Sequence, residues 1–377
     1  MSLNILCIGD IHIQTSNTID IKIFIDKLFE FVNLNKNIID IIVFLGDILH
    51  THERLHTVPF NIANNLFETI SKMKPVYILV GNHDYINNSQ FLSTNHWMNC
   101  FKNKNNIFII DDITLCNHNN LNIIMCPYVP DGRFSEALNL LNNSTHFNWK
   151  DADLILAHQL FDGAKMGAIV TENVEKWDEN NPYLISGHIH DKQQVQNNLY
   201  YTGSSMQHAF GESHDKTICM IKIDTSIHLN EIDLNLPKKQ ILYYDIEKID
   251  PTINRDNEIE LNKLYKLLEN KNIHYKITIS GNFEQFKVFK KNPAFLNLQK
   301  NETKIIFKNK LVDILNQKHL FNSSINSEKI LFKDILHELV SSDDKLNNKN
   351  KLKLYNLYNS FYNSKQIYNN KFIEFVN

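Results

Sequence analysis

Five short stretches of the chain, each following an apolar run, present carboxylate, amide and imidazole groups and no thiolate. They are GDIH (Asp10, His12), GDILH (Asp47, His50), GNHD (Asn82, His83, Asp84), AHQ (His158) and GHIH (His188, His190). Oxygen and imidazole donors in this mixture suit manganese, iron or zinc in a hydrolytic centre, whereas a structural zinc site would draw on cysteine. The set is too large for one ion. It fits two, roughly 3.5–4 Å apart and sharing a bridging carboxylate, the arrangement that serves phosphoester displacement. In both DxH and GHxH the paired groups stand two residues apart, which puts them on one side of an extended backbone. Gly9, Gly46, Gly81 and Gly187 let the chain turn sharply beside the ions.

Groups so far apart meet only if the elements before them end at one place. LNILCIGD, IIDIIVFLGD and PVYILVGNHD are short and apolar on both faces, as strands covered on two sides must be. Between them, IDIKIFIDKLFEFVNLN and VPFNIANNLFETISKM space their apolar residues as helices do. From Asp10 to Asp47 to Asn82 is 37 and then 35 residues, about one strand–helix–strand unit each, so this half reads as a layered α/β domain. Ligands of open α/β sheets gather outside the carboxyl ends of the strands, where all five stretches lie. The later runs LNIIMCPYV, ADLILAHQ, YLISGHIH, LYYTGS and TICMIKID have little helix between them and suggest a second sheet packed on the first. Near Pro237 the pattern changes to strand, helix, strand in KKQILYYDIEKID, IELNKLYKLLENKN and HYKITISGN. From about Ser327, SEKILFKDILHELVSS and KLKLYNLYNSFYNSKQI read as two helices.

With 377 residues, 43% of them apolar, the chain can bury a core in one large domain and a smaller one. No run approaches the roughly 18 apolar residues of a membrane helix, and an acid and a histidine stand where a signal peptide would be cleaved. This predicts an intracellular protein, cytoplasmic or nuclear, with no membrane partner. The five cysteines have no CxxC pairing and suit reduced thiols. Net charge is −3, but residues 1–236 hold 15 Lys and Arg against 26 Asp and Glu, and the rest holds 24 against 16. The C-terminal third is therefore the basic part, which fits either a solvated surface or a nucleic-acid contact.

The ordered set GDIH, GDILH, GNHD, AHQ and GHIH resembles that of the calcineurin-like metallophosphoesterases over about the first 210 residues. His50, three residues after Asp47, and the stretch YYTGSSMQHAFGE resemble the SbcD-type nucleases, catalytic subunits of DNA double-strand-break repair complexes. Protein Ser/Thr phosphatases of that superfamily carry DRG and GNHE, and neither occurs here. The resemblance implies a four-layer α-β-β-α sandwich over 1–236, a small α+β capping, DNA-positioning domain over 237–325, and C-terminal helices over 326–377 that bind an SbcC-like coiled-coil ATPase. It implies two divalent metal ions, manganese, one held by Asp10, His12, Asp47 and His190 and the other by Asp47, Asn82, His158 and His188. It makes His83 the group that protonates the leaving sugar oxygen, Asp84 the group that orients His83, and His50 a contact to the same phosphate. The function implied is a manganese-dependent DNA exo/endonuclease of repair or recombination, attacking in line with a metal-activated water. Segments 58–73 and 89–103 occupy the place where that family forms homodimers, and Leu354, Tyr358 and Phe361 share one helical face suited to the ATPase. Rival expectations are a phosphatase or cyclic-nucleotide phosphodiesterase on the same scaffold, favoured by the acidic catalytic half, and a non-catalytic scaffold, disfavoured because every ligand position is filled.

Overall fold

Strands β1 (Leu3–Ile8), β2 (Ile41–Phe44), β3 (Val76–Leu79) and β4 (Ile107–Ile110) run parallel, side by side in that order. This is a computed structural model, and it describes residues 2–270, 272–299 and 304–309. Helix α1 (Thr18–Leu34) links β1 to β2, and α2 (Thr57–Ile70) links β2 to β3. Apolar spacing sets the buried stripe of α1, Ile21, Phe24, Leu28 and Val32, against this sheet. α2 ends at Ile70, short of the expected Met73, and residues 71–74 form a turn before Pro75. The second segment named for dimerisation, 89–103, carries only a 3-10 turn, Trp97–Phe101. The rings of Trp97 and Phe101 pack on Phe67 of α2, within the chain's own core.

The chain then builds a second sheet from β5 (Thr114–His118), β6 (Leu121–Cys126), β7 (Leu154–Ala157), β10 (Leu184–Ser186), β11 (Gln193–Gln196) and β12 (Leu199–Tyr201). Helix α3 (Phe134–Thr145) lies between β6 and β7, and a two-strand hairpin, β8 (Lys165–Met166) with β9 (Ile169–Val170), follows β7. Its order is β11-β12-β10-β7-β6-β5, with the four central strands parallel and both edges antiparallel. Strands β13 (Ile218–Ile223) and β14 (Ile227–Ile232) return to the first sheet as an antiparallel edge beside β1.

Alternation along each strand separates the layers. In β1, Leu6 and Ile8 join the helix-side core while Leu3, Ile5 and Cys7 join the core between the sheets. In β7, Leu154 and Leu156 face the first sheet while Ile155 and Ala157 face α3. Two six-stranded mixed sheets with helices outside them make the α-β-β-α sandwich. No helix among the described residues is long and apolar enough to cross a membrane.

A third, three-stranded parallel sheet follows: β15 (Lys238–Asp245), β16 (Ile273–Gly281) and β17 (Lys304–Asn309). Helices α4 (Ile246–Ile249), α5 (Asn257–Leu268), α6 (Phe283–Phe289) and α7 (Pro293–Gln299) bring Leu261, Leu264, Phe286 and Phe289 to a core with Ile277 and Ile279. Strand register puts Tyr243, Lys276, Lys304 and Lys308 on the other face, and Tyr243 is 74% exposed. The expected C-terminal helices over 326–377 and the end of the expected capping domain beyond Asn309 lie outside the described residues.

Close backbone approach explains the glycine before Asn82. A Cβ at Gly81 would collide with the backbone nitrogen and Oδ1 of Asp47, both parts of a loop with no slack. Gly81→Ala should therefore cost about 1–3 kcal/mol, as overpacking does. Urea titration of the purified protein checks this, and an unchanged midpoint would mean the two loops are free to part.

Candidate metal centre

All five motifs follow the carboxyl ends of parallel strands, β1, β2 and β3 in one sheet and β7 and β10 in the other. The first two motif loops are zipped together: His12 N donates to Asp47 O at 3.0 Å and Ile13 N to Ile48 O at 2.8 Å. His12, Asp47 and His188 all adopt left-handed backbone, with φ of 42°, 51° and 77°. Non-glycine residues avoid that region at a cost of order 1–3 kcal/mol each, and such strain concentrates at functional sites. Of the four glycines expected to turn the chain, Gly46 does so at a φ of 108°. Gly9, Gly81 and Gly187 serve instead to let other groups come close.

The structure brings Asp10, His12, Asp47, Asn82, His158, His188 and His190 into one network of contacts. Asp47 sits at its middle, with Oδ2 3.5 Å from His12 Nε2 and Oδ1 3.4 Å from His158 Nε2. On one side, His12 Nε2 faces His190 Nε2 at 3.0 Å. On the other, Asn82 Oδ1 lies 3.1 Å from His158 Nε2 and 2.9 Å from His188 Nδ1. The ligand atoms of Asp47, His158 and His188 all lie within 4.8 Å of one another, as do those of His12, His50 and His83. Asp10 joins the halves: its Oδ1 accepts from His188 N at 3.1 Å and lies 3.4 Å from His158 Nδ1, while its Oδ2 is buried with no hydrogen-bond partner among the described residues. His158 Nδ1 donates to Leu45 O at 2.7 Å, which fixes the tautomer and turns Nε2 inward. Lone pairs that converge this way, with too few protons to separate them, fit divalent cations.

Charge balance agrees with that fit. Burial holds His12 well below the usual imidazole range and, with the His158 charge, pushes His188 down to about 3, so both are neutral donors. Burial opposes the protonation of His158 too, yet the Asp47 charge and hydrogen bond, helped by Asp10, carry it up to about 9. The same contact overcomes the burial of Asp47 and holds that carboxyl well below its usual value. Asp10 is pushed up, chiefly by burial. Without a cation, one proton therefore sits on His158, which the resemblance expects to be a metal ligand.

His50 and His83 border this network, and Asp84 does not point into it. His83 Nδ1 donates to His50 O at 2.7 Å, and its ring meets His12 edge-on with centroids 4.8 Å apart. His50 Nδ1 stands 3.3 Å from His12 Nδ1, so a proton shared there orients the His12 ring. The expectation that Asp84 orients His83 needs correction. Its buried carboxylate accepts from Ile48 N, Leu49 N and Gly81 N, each at 3.1 Å, and from Trp97 Nε1 at 2.9 Å. Asp84 thus braces the backbone behind Asp47, and the His50 carbonyl does the orienting. Burial and the Asp47 charge push Asp84 up to about 7, against the pull of those N–H donors.

Two groups that the sequence reading left without a role also belong here, both in the loop after β12. His208 Nε2 donates to Asp10 O at 3.0 Å, and its ring lies 5.0 Å from that of His12 and 5.1 Å from that of His190. Glu212 Oε1 is 3.5 Å from His190 Nδ1, the carboxylate partner that a metal-binding histidine usually has. Both lie in the stretch YYTGSSMQHAFGE, which the sequence singles out by its resemblance without giving either residue a role. The third sheet reaches this loop: Lys239 N donates to Gln207 Oε1 at 2.7 Å, and Lys239 Nζ reaches His208 O at 3.3 Å and Asp20 Oδ2 of α1 at 3.0 Å. Beside the centre opens a cleft of about 610 Å³ whose wall includes Met166, His188, His190, Asp191, Lys192 and Glu212.

Comparison with known proteins agrees with this geometry. Residues 3–192 match the family model described as calcineurin-like phosphoesterase. "Putative phosphoesterase 244L" of Invertebrate iridescent virus 6 is 46% identical over 290 residues, covering 76% of this chain and 97% of that protein. "Putative phosphoesterase 078R" of Invertebrate iridescent virus 3 is 37% identical over 338 residues, 87% of this chain and 92% of that protein. Among solved structures, GAP50, the anchor in the inner membrane complex of Plasmodium, is similar with a TM-score of 0.40 and 15% identity over 62% of this chain and 85% of that one. A ligand set in motif order at the strand ends, a family match over half the chain and two viral relatives along most of it give one conclusion: the chain belongs to the calcineurin-like phosphoesterase family.

Proposed function

We propose that the chain is a two-metal phosphodiesterase that cuts DNA, an SbcD-like nuclease using manganese, with an SbcC-like coiled-coil ATPase as its partner. The observation that carries the hydrolytic part is Asp47, which faces His12 with one oxygen and His158 with the other. Asp10, His12, Asp47 and His190 would hold one cation, and Asp47, Asn82, His158 and His188 the other. When bound, the pair supplies Lewis-acid charge at the phosphate and a water acidified toward neutrality. The remaining work falls to the chain. His83 Nδ1–H donates a hydrogen bond to the His50 carbonyl, so in the imidazolium form the second proton, on Nε2, faces the departing sugar oxygen and leaves with it. His50, on the rim beside it, contacts the same phosphate. Glu212 and Leu45 O hold His190 and His158 in their tautomers.

DNA as the substrate is supported by the third-sheet face beyond the point where Lys239 packs on α1 and the His208 loop, where the exposed Tyr243 offers a ring for stacking and Lys276, Lys304 and Lys308 offer charge for phosphates. A second reading, a small phosphodiester as substrate, is favoured by one observation: the cleft beside the centre sets Asp191, Glu212 and Asp215 against a single Lys192, a poor wall for a polyanion.

Labelled duplex and single-stranded DNA, with bis(4-nitrophenyl) phosphate alongside, discriminate these readings when each is incubated with the chain in manganese and in magnesium. Manganese-dependent DNA degradation is expected, and turnover of the small ester alone would replace the nuclease with the second reading. His83→Ala should lower kcat on DNA by about 10²–10⁴-fold with manganese stoichiometry unchanged, since it removes an acid and no ligand. Asp84→Asn should instead lower stability and metal retention together, because an amide nitrogen would then face backbone N–H groups. Equal metal loss in the two variants would contradict that division of roles. Metal capture must also displace the His158 proton, so affinity should rise with pH, by up to about tenfold per unit, until about pH 9. Calorimetry in buffers of different ionisation enthalpy counts the released proton, and an affinity flat from about pH 6 to 8 would place that proton elsewhere.

A further inference from the structure

The His83 ring does not stand alone on the rim. It stacks on His50 with centroids 5.2 Å apart and planes at 12°, and on His52 at 4.8 Å and 14°. His52 is not part of the metal centre, and its ring is tied through Nδ1 to the carbonyl of Tyr85 at 3.3 Å. Tyr85 itself is fully buried, so this anchor is rigid. His83 is therefore gripped by a hydrogen bond from Nδ1 and by two near-parallel rings, while its edge meets His12.

A partly exposed histidine on a turn would otherwise sample several rotamers. Proton transfer to a leaving oxygen tolerates little misplacement, because a shift of about 1 Å can cost two orders of magnitude in rate. Hydrogen bonding to the His50 carbonyl fixes one point on the His83 ring and leaves rotation about that point open. Stacking against His52 closes that freedom. His50 cannot do so alone, since its own ring also answers to His12 at 3.3 Å.

We infer that His52 is a positioning residue of the reaction, holding the His83 imidazole by face-to-face contact in the plane from which Nε2 meets the leaving oxygen. The inference rests on the role proposed above for His83. It asks only for a flat ring at position 52, not for a charge or a metal-binding nitrogen.

The test compares two leaving groups on the manganese-loaded full chain. A 4-nitrophenolate leaves without a proton, whereas the sugar oxygen of a thymidine dinucleotide needs one. His52→Ala should lower kcat on the dinucleotide by about tenfold or more, leave bis(4-nitrophenyl) phosphate within about twofold, and keep manganese stoichiometry unchanged. His52→Phe, which restores a flat ring, should recover the dinucleotide rate to within about threefold. Wild-type kcat on the dinucleotide for His52→Ala, equal losses on both substrates, or a His52→Phe as slow as the alanine variant would each overturn the positioning role. His83→Ala is the control: if it too shows no dependence on the leaving group, the acid role of His83 falls, and the fault lies there rather than with the stack.

Discussion

Asp10, Asp47 and Asn82 bring oxygen lone pairs within reach of four imidazoles in a place where water cannot separate them. Burial makes this arrangement costly unless positive charge compensates it. In the chain alone, the compensation is a proton on His158, held by two carboxylates and an amide oxygen. That proton also blocks a ligand position. Much of the surrounding structure serves to keep the arrangement from relaxing: Leu45 O fixes the His158 tautomer, Glu212 faces His190, and Asp84 ties down the backbone on which Asp47 stands.

The sandwich supplies this rigidity through strand ends. The motif-bearing strands of each sheet are parallel neighbours, β1, β2 and β3 in one and β7 and β10 in the other, so within each sheet the motif loops emerge at the same strand ends. Cores on both faces of both sheets leave the strands no room to slip, since a slip of one residue would exchange buried and facing side chains. The ligands therefore inherit their precision from Leu, Ile and Val packing several residues earlier in the chain. The third sheet adds a further brace. Lys239 couples its first strand to α1 and to the loop of His208, whose ring lies beside the same centre.

Much of this was legible in the amino-acid order. Runs apolar on both faces announced covered parallel strands, and an oxygen or imidazole after each run announced a common site. What the order could not carry was contact between side chains in different loops. Asp84 follows His83 directly, which made it a natural partner, yet a tight turn sends successive side chains to different neighbours and Asp84 meets Trp97 and the backbone of Ile48 instead. His208 and Glu212 belong to no metal-binding spacing, and only the fold brings their loop beside Asp10 and His190. His52 stands outside the five motifs, and its stacking depends on a turn more than thirty residues away.

The left-handed peptides at His12, Asp47 and His188 carry a further consequence. Three of the donors owe their direction to main-chain torsions that most residues refuse, and neighbouring layers clamp those torsions in place. Grafting the same side chains onto a relaxed scaffold would aim them at different points in space. For a protein engineer, the transferable unit is the strained loop with its clamp, not the catalogue of coordinating atoms.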